Sequence, residues 1–203
     1  MKKLTIDYRL ITGLIMIHLF MYFTFHNPLI FWYMFTATML IVMSYSILNE
    51  KMNHDTTFLT DCLYGILSGM LLSLLFWTGH LIIEIFDLPF QKEITKLYKR
   101  FSPTHIWHYI VLLCFIVPGE ELFWRGFVQK RLSKFMRSPY SIMMAAALYA
   151  SVQIYSGTII HIFAALFAGL YWGFLYSWKK SISLVVVSHL IFDLFIFILF
   201  PFR

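Results

Sequence analysis

The run Ile106–Gln129 reads IWHYIVLLCFIVPGEELFWRGFVQ. A helix needs about 20 apolar residues to cross a hydrocarbon core of about 30 Å, and this stretch is long enough. Yet Glu120, Glu121 and Arg125 lie inside it. Each ionisable group within a span costs roughly 2.5–3.5 kcal/mol on insertion scales, so such groups need partners and usually serve a function. Glu121 and Arg125 are four apart and share one helical face within ion-pair reach. Glu120 projects about 100° away from Glu121, so one carboxylate is neutralised locally while the other looks into the bundle. Pro118 and Gly119, just upstream, loosen the helix and free backbone groups beside the pair.

Composition places the whole chain in the same setting. Of 203 residues, 60% are hydrophobic and 13% charged, with a mean hydropathy of +0.75. A soluble domain carries about a quarter charged residues. There is too little polar surface to coat a water-soluble globule, so lipid is the main solvent. The net charge of +6 does not point to nucleic acid. Basic residues here fall in short loops between apolar runs, where they set orientation and touch anionic headgroups. Membrane lipids are therefore the expected partners. Met1-Lys2-Lys3 and the following run mimic a signal peptide, but Phe23, Phe25 and His26 stand where small cleavage-site residues belong. Cys62 and Cys114, inside apolar runs, read as small core residues rather than a disulfide.

Outward from Ile106–Gln129, the spacing predicts further spans at Leu10–Phe25, Leu29–Leu48, Phe58–Phe86, Ser141–Tyr155, Thr158–Trp178 and Ile182–Phe200. The expected fold is an all-α polytopic bundle of about seven spans in one integral domain, 1–203. The long third span carries Gly65, Gly69 and Gly79 and is expected to tilt or bend. Between spans three and four, Phe90, Ile94, Leu97, Tyr98 and Phe101 recur at helical spacing, with Lys92, Glu93, Lys96, Lys99 and Arg100 off that face. This is an amphipathic helix on the membrane surface. The distribution of Lys2, Lys3, Arg9, Lys51, Lys130, Arg131, Lys134, Arg137, Lys179 and Lys180 favours a cytoplasmic N-terminus. The amphipathic helix then carries its basic residues to the outer side, together with Arg203, unless the third segment does not cross once. Gly169 and Gly173 allow a neighbouring helix close approach.

The last span holds His189 and Asp193, four apart on one face, a spacing that lets both converge on a site or lets Asp193 orient the imidazole. At 1.5 Å per residue Glu120 lies roughly 13 Å from the inner end of its span, His189 roughly 9 Å and Gln153 roughly 18 Å, so they can meet with modest tilt. His161 starts its span from the outer side and is a poor candidate. His18, His80, His105 and His108 read as interfacial or packing residues. Trp32, Trp77, Trp107, Trp172 and Trp178 read as lipid anchors.

Glu120-Glu121-Leu122-Phe123-Trp124-Arg125 resembles the Glu-Glu-x-x-x-Arg motif of the CPBP (CAAX protease and bacteriocin-processing, or Abi) intramembrane proteases. His189-Leu190-Ile191-Phe192-Asp193 resembles their His-x-x-x-Asn/Asp motif, and Gly169-x-x-x-Gly173-x-x-Tyr176 their glycine-bearing helix. The resemblance spans 106–200, the expected catalytic core helices. The middle Phe-x-x-x-His motif corresponds to Tyr149-Ala150-Ser151-Val152-Gln153, with glutamine replacing histidine. The resemblance implies peptide hydrolysis at the membrane, in the cell membrane of a bacterium, on a membrane-associated peptide or protein substrate. The implied site residues are Glu120, Glu121, Arg125, Gln153, His189 and Asp193. Glu120 is the implied base for a water, Glu121 is held by Arg125, and His189 with Asp193 stabilises the oxyanion or orients substrate. The family's metalloprotease naming raises a divalent metal such as zinc, for which Glu120, Glu121 and His189 are the candidate ligands. Gln153 can hydrogen-bond a water but cannot take its proton.

Three readings stay open from the residues: an active peptidase, a catalytically weakened relative serving bacteriocin immunity or regulation, and a small transporter using Glu120 or Asp193 as a proton site.

Overall fold

The computed structural model describes residues 7–52 and 55–202. Met1, Lys2, Lys3 and Arg203, which enter the signal-peptide and orientation readings, lie outside these. The described residues form helices without a sheet. They run α1 (Tyr8–His26), α2 (Phe31–Asn49), α3 (Phe58–Ile85), α4 (Gln91–Phe101), α5 (Ile106–Leu132), α6 (Ser138–Val152), α7 (Ile159–Lys179) and α8 (Ile182–Leu199).

Among the described residues six helices are long and apolar enough to cross a membrane: α1, α5, α7, α8, α3, and α2 with its leading turn from Pro28. The chain is a multi-pass integral membrane protein. The seventh expected span, Ser141–Tyr155, falls on α6, which is shorter than these six. Its 15 α-helical residues rise about 22 Å, short of the hydrocarbon thickness. A tighter 3-10 turn, Gln153–Ser156, continues it at about 2 Å per residue. Ser138 bonds Ser177 near one end of the bundle, and Tyr155 bonds His18 towards the other. The chain therefore passes between the two ends on a helix that changes pitch.

Helix α3 is continuous over 28 residues, about 42 Å, so the third segment crosses once and tilts. This settles the location of α4. Its basic residues lie at the opposite end of the bundle from Lys130 and Lys134, which pair with Glu50 at the end of α2. At the Lys130 end Arg131 clamps three elements. Its guanidinium meets both carboxylate oxygens of Asp7 at 2.6 Å, the Asn49 carbonyl at 3.0 Å and Glu50 at 3.4 Å.

Helix α4 buries Ile94 and Phe101 and exposes Lys92, Lys96 and Lys99, as its amphipathic spacing predicts. Two bonds hold it across the far end of the bundle. Glu93 accepts from the Ile160 backbone N–H at the start of α7, an otherwise unpaired first-turn donor, at 2.9 Å. Tyr98 donates to the Ile196 carbonyl at 2.8 Å, where α8 widens into a π turn.

Close helix contact depends on small residues. A Cβ at Gly69 would lie 2.5 Å from the Ser188 carbonyl and 2.7 Å from Ile191, so α3 and α8 touch backbone to backbone there. Gly169 meets Ala146 and Tyr149, and Gly173 meets Gln129 and Ile142, as the glycine spacing on α7 anticipates. Cys62 and Cys114 are free thiols, and Cys114 faces outward rather than into the core. A helix surface turned to lipid is as apolar as a core, so hydropathy could not separate the two positions.

Two outcomes follow. Gly69→Val should force α3 off α8 and cost about 1–3 kcal/mol, read as a lower unfolding midpoint in detergent. Partial burial alone would raise the Asp7 carboxyl, but Arg131, the Leu10 N–H and Lys134 outweigh it and hold it below its ordinary 3.8. A group lowered by folding stabilises fully above its unfolded value and ceases to do so as pH falls through the folded one. The wild type should therefore lose thermal stability in that acid range more steeply than Asp7→Asn.

Candidate active site

Helix α5 is a regular helix interrupted by two π segments, Leu112–Ile116 and Leu122–Gln129, which flank Val117–Glu121. Pro118 offers no N–H, and the wider turn before it accommodates the missing i→i−4 bond. Gly119 lets this turn lie against α2, where a Cβ would be 3.0 Å from Met39. The two glutamates are thereby set at the centre of the bundle, both buried.

From there they approach the two nitrogens of one imidazole. Glu121 Oε1 is 2.9 Å from Arg125 Nη1 and 2.7 Å from His189 Nδ1. Glu120 Oε2 stands 3.8 Å from His189 Nε2, and Asp193 Oδ1 stands 3.7 Å from the same nitrogen. The adjacent glutamates thus hold opposite edges of the ring, because the helix turns about 100° between them. Arg125 is 2% exposed and also reaches the Gly169 carbonyl on α7 at 3.4 Å.

The aromatic surroundings fix these groups. Trp172 stacks on His189 with ring centroids 3.8 Å apart and an interplanar angle of 27°. Its indole N–H donates to Ser188 at 3.2 Å. The Arg125 guanidinium lies 5.3 Å from the Trp172 ring centre and 5.0 Å from that of Tyr149, within cation–π range. The Tyr149 hydroxyl is 3.5 Å from Glu120 Oε2.

Reading Trp172 as a lipid anchor is therefore corrected: it is 1% exposed and forms part of the site wall. Its position between Gly169 and Gly173 was the available signal. Small residues bring that face of α7 inward, and a large side chain between them goes with it.

Glu120, Tyr149, Gln153, Trp172, His189 and Asp193 line one cavity of about 500 Å³. It runs from these groups, past apolar walls of α3, α7 and α8, to the underside of α4. All six sequence candidates are buried. Glu120, Gln153, His189 and Asp193 face the cavity, while Glu121 and Arg125 sit behind it as the support of His189. His161 and His80, set aside from sequence, also line its walls. His161 stands at the start of α7, where counting from span ends puts it, and lines the cavity because the cavity extends along the bundle.

The candidate metal ligands Glu120, Glu121 and His189 do not converge on a point. Glu121 takes one edge of the imidazole and Glu120 faces the other, and Glu121 Oε1 is already held by Arg125 and His189. Among the described residues no cluster of three His, Cys, Asp or Glu has an arrangement that would hold a metal ion.

Removing Arg125 should be far more damaging than removing a surface cation. Arg125→Met leaves the Glu121 charge without its cation in the interior and should cost about 3–5 kcal/mol, measured by chemical unfolding in detergent.

No curated protein and no solved structure matches the chain. The model of the family described as type II CAAX prenyl endopeptidase, Rce1-like, matches residues 102–195. That stretch contains both sequence motifs and every polar group of the buried cluster, and its Rce1-like match agrees with the resemblance to the CPBP intramembrane proteases.

Proposed function

We propose that the chain is an intramembrane endopeptidase in which Glu120 activates a water against a peptide bond. The observation that carries this reading is the convergence of Glu120, His189 and Asp193 on one wall of a cavity between the helices of a membrane bundle. Glu120 takes a proton as the water oxygen attacks the scissile carbonyl carbon. It returns that proton to the leaving amine nitrogen when the carbon–nitrogen bond breaks. His189 donates through Nδ1 to Glu121 and presents Nε2 to the cavity. With a proton there it stabilises the oxyanion, and Asp193 orients the same nitrogen. Glu121 and Arg125 act by holding the ring, as a carboxylate behind a histidine sets its tautomer and direction. No step is assigned to a metal, since the residues present do not make a ligand set for one.

The substrate follows from the cavity's chemistry and the family's description. Its lining is largely apolar, with Glu120, His189 and Asp193 gathered together on it. This suits a peptide that is membrane-associated, such as a lipid-modified C-terminal segment. A second reading has a specific residue in its favour. Gln153 occupies the position where the family carries histidine, and a carboxamide cannot accept the water's proton at neutral pH. On that reading the chain is a weakened relative that binds a peptide in an immunity or regulatory role.

The experiment is hydrolysis of membrane-tethered peptides by the purified protein in lipid nanodiscs. The wild type should cleave, and Glu120→Ala should slow cleavage by at least about 100-fold. Addition of EDTA should leave the rate unchanged. If the wild type is inert and Gln153→His creates activity, the weakened-relative reading replaces the first.

A further inference from the structure

We infer that Gln153 is the residue that holds the main chain of the bound peptide, through the unpaired Oε1 of its carboxamide. The inference rests on the preceding reading only in taking a peptide as the ligand of this cavity.

Gln153 opens the 3-10 turn that ends α6, and its backbone N–H is already taken by the Ala150 carbonyl. Its side chain is 3% exposed and lines the cavity, and Oε1 is buried without a hydrogen-bond partner. Nearly all buried polar groups in folded proteins are paired, so an orphaned acceptor on a cavity wall calls for a donor from the ligand. A carboxamide offers one acceptor and an N–H donor side by side, matching the N–H and C=O of a peptide main chain. It has no proton to exchange, so its contribution is one of geometry.

A second group on the same wall completes the case. His161 stands just beyond the Gly157–Thr158 junction, in the first turn of α7, and its Nδ1 is likewise buried without a partner. Its ring is set edge-on against Phe25, with centroids 6.0 Å apart. Both residues line the one cavity that holds Glu120 and His189. The junction of α6 and α7 therefore presents two unpaired polar atoms, and across the cavity, among Phe76, Phe192 and Ile196, His80 Nε2 on α3 is a third. A peptide entering beneath α4 lays its backbone along the α6–α7 junction. Replacing histidine by glutamine at 153 thus changes a proton-handling position into one that reads the peptide backbone.

The test uses the full-length Glu120→Gln chain in nanodiscs and a pool of lipid-anchored, fluorescein-labelled decapeptides of randomised sequence. The tightest binder is remade with each amide in turn replaced by an ester, which deletes a single N–H. The ester at the position facing Gln153 is expected to weaken binding about 3- to 10-fold, the worth of one hydrogen bond. That loss should vanish when Gln153→Leu is added and persist with Gln153→Glu, which keeps an acceptor at the site. His161→Phe, measured in the same way, provides a second cycle should Gln153→Leu fail to fold, and should erase the loss at a different ester position.

An equal ester loss with and without the Gln153 and His161 side chains would overturn the inference, as would failure of the whole pool to bind. If binding shows the expected dependence but the Glu120-bearing chain cleaves none of these peptides, the hydrolase reading falls and the backbone-holding role of Gln153 stands.

Discussion

One oxygen of Glu121 is shared between the Arg125 guanidinium, on its own helix, and the His189 imidazole, on the last helix. In water such a pair exchanges with solvent and contributes little. Inside a bundle surrounded by lipid, no solvent waits to take over either partner. Separating them would leave a bare charge in an apolar medium, so the contact fixes α5 against α8. The imidazole's orientation follows from this, and so does the edge it turns to the cavity, where Glu120 and Asp193 meet it.

The aromatic residues around that contact have the same logic. Trp172 covers the imidazole face and Tyr149 the guanidinium, so both groups lie against π surfaces rather than against alkyl chains. Glycines do the complementary work. At Gly69, Gly119 and Gly169 the helices approach too closely for a bulkier residue to fit without displacement, and the large side chains between those crossings gather into the interior. The ends of the bundle are closed by polar ties, Arg131 at one and the Glu93 and Tyr98 bonds of α4 at the other. A firm centre, clamped ends and a cavity between them is an arrangement in which a buried acid can be held at one place and still be reached.

Gln153 is where this chain departs from the motif pattern it resembles, and the departure falls on the cavity rather than behind it. The supporting pair Glu121–Arg125 and the histidine of the last motif are retained. The divergence therefore touches the handling of water or peptide while leaving the orientation of His189 intact. An active peptidase with a rebuilt substrate wall and a peptide-binding relative that has ceased to cleave share this framework. On the proposed mechanism they differ in whether Glu120 still completes proton transfer.

Much of this was legible in residues alone. Apolar runs of span length, interrupted by charge at 120, 121 and 125 and again at 189 and 193, dictated a membrane bundle with a polar centre, because lipid tolerates ionised groups only in company. Four-residue spacing told which neighbours on one helix would pair. It could not tell that Glu121, already matched to Arg125, would also take His189, nor that Glu120 would face the ring's other edge. Both depend on where a distant helix comes to rest. Trp172 and Cys114 mark the same limit from opposite directions: a lipid-facing and a core-facing position are equally apolar in sequence, and only packing sorts them. The shortness of α6, the single crossing of α3 and the reach of the cavity to His161 were likewise decided by tertiary structure. Local sequence governs the hydrogen bonds within a helix, whereas the contacts between helices, and the hollow they leave, arise only once all of them are assembled.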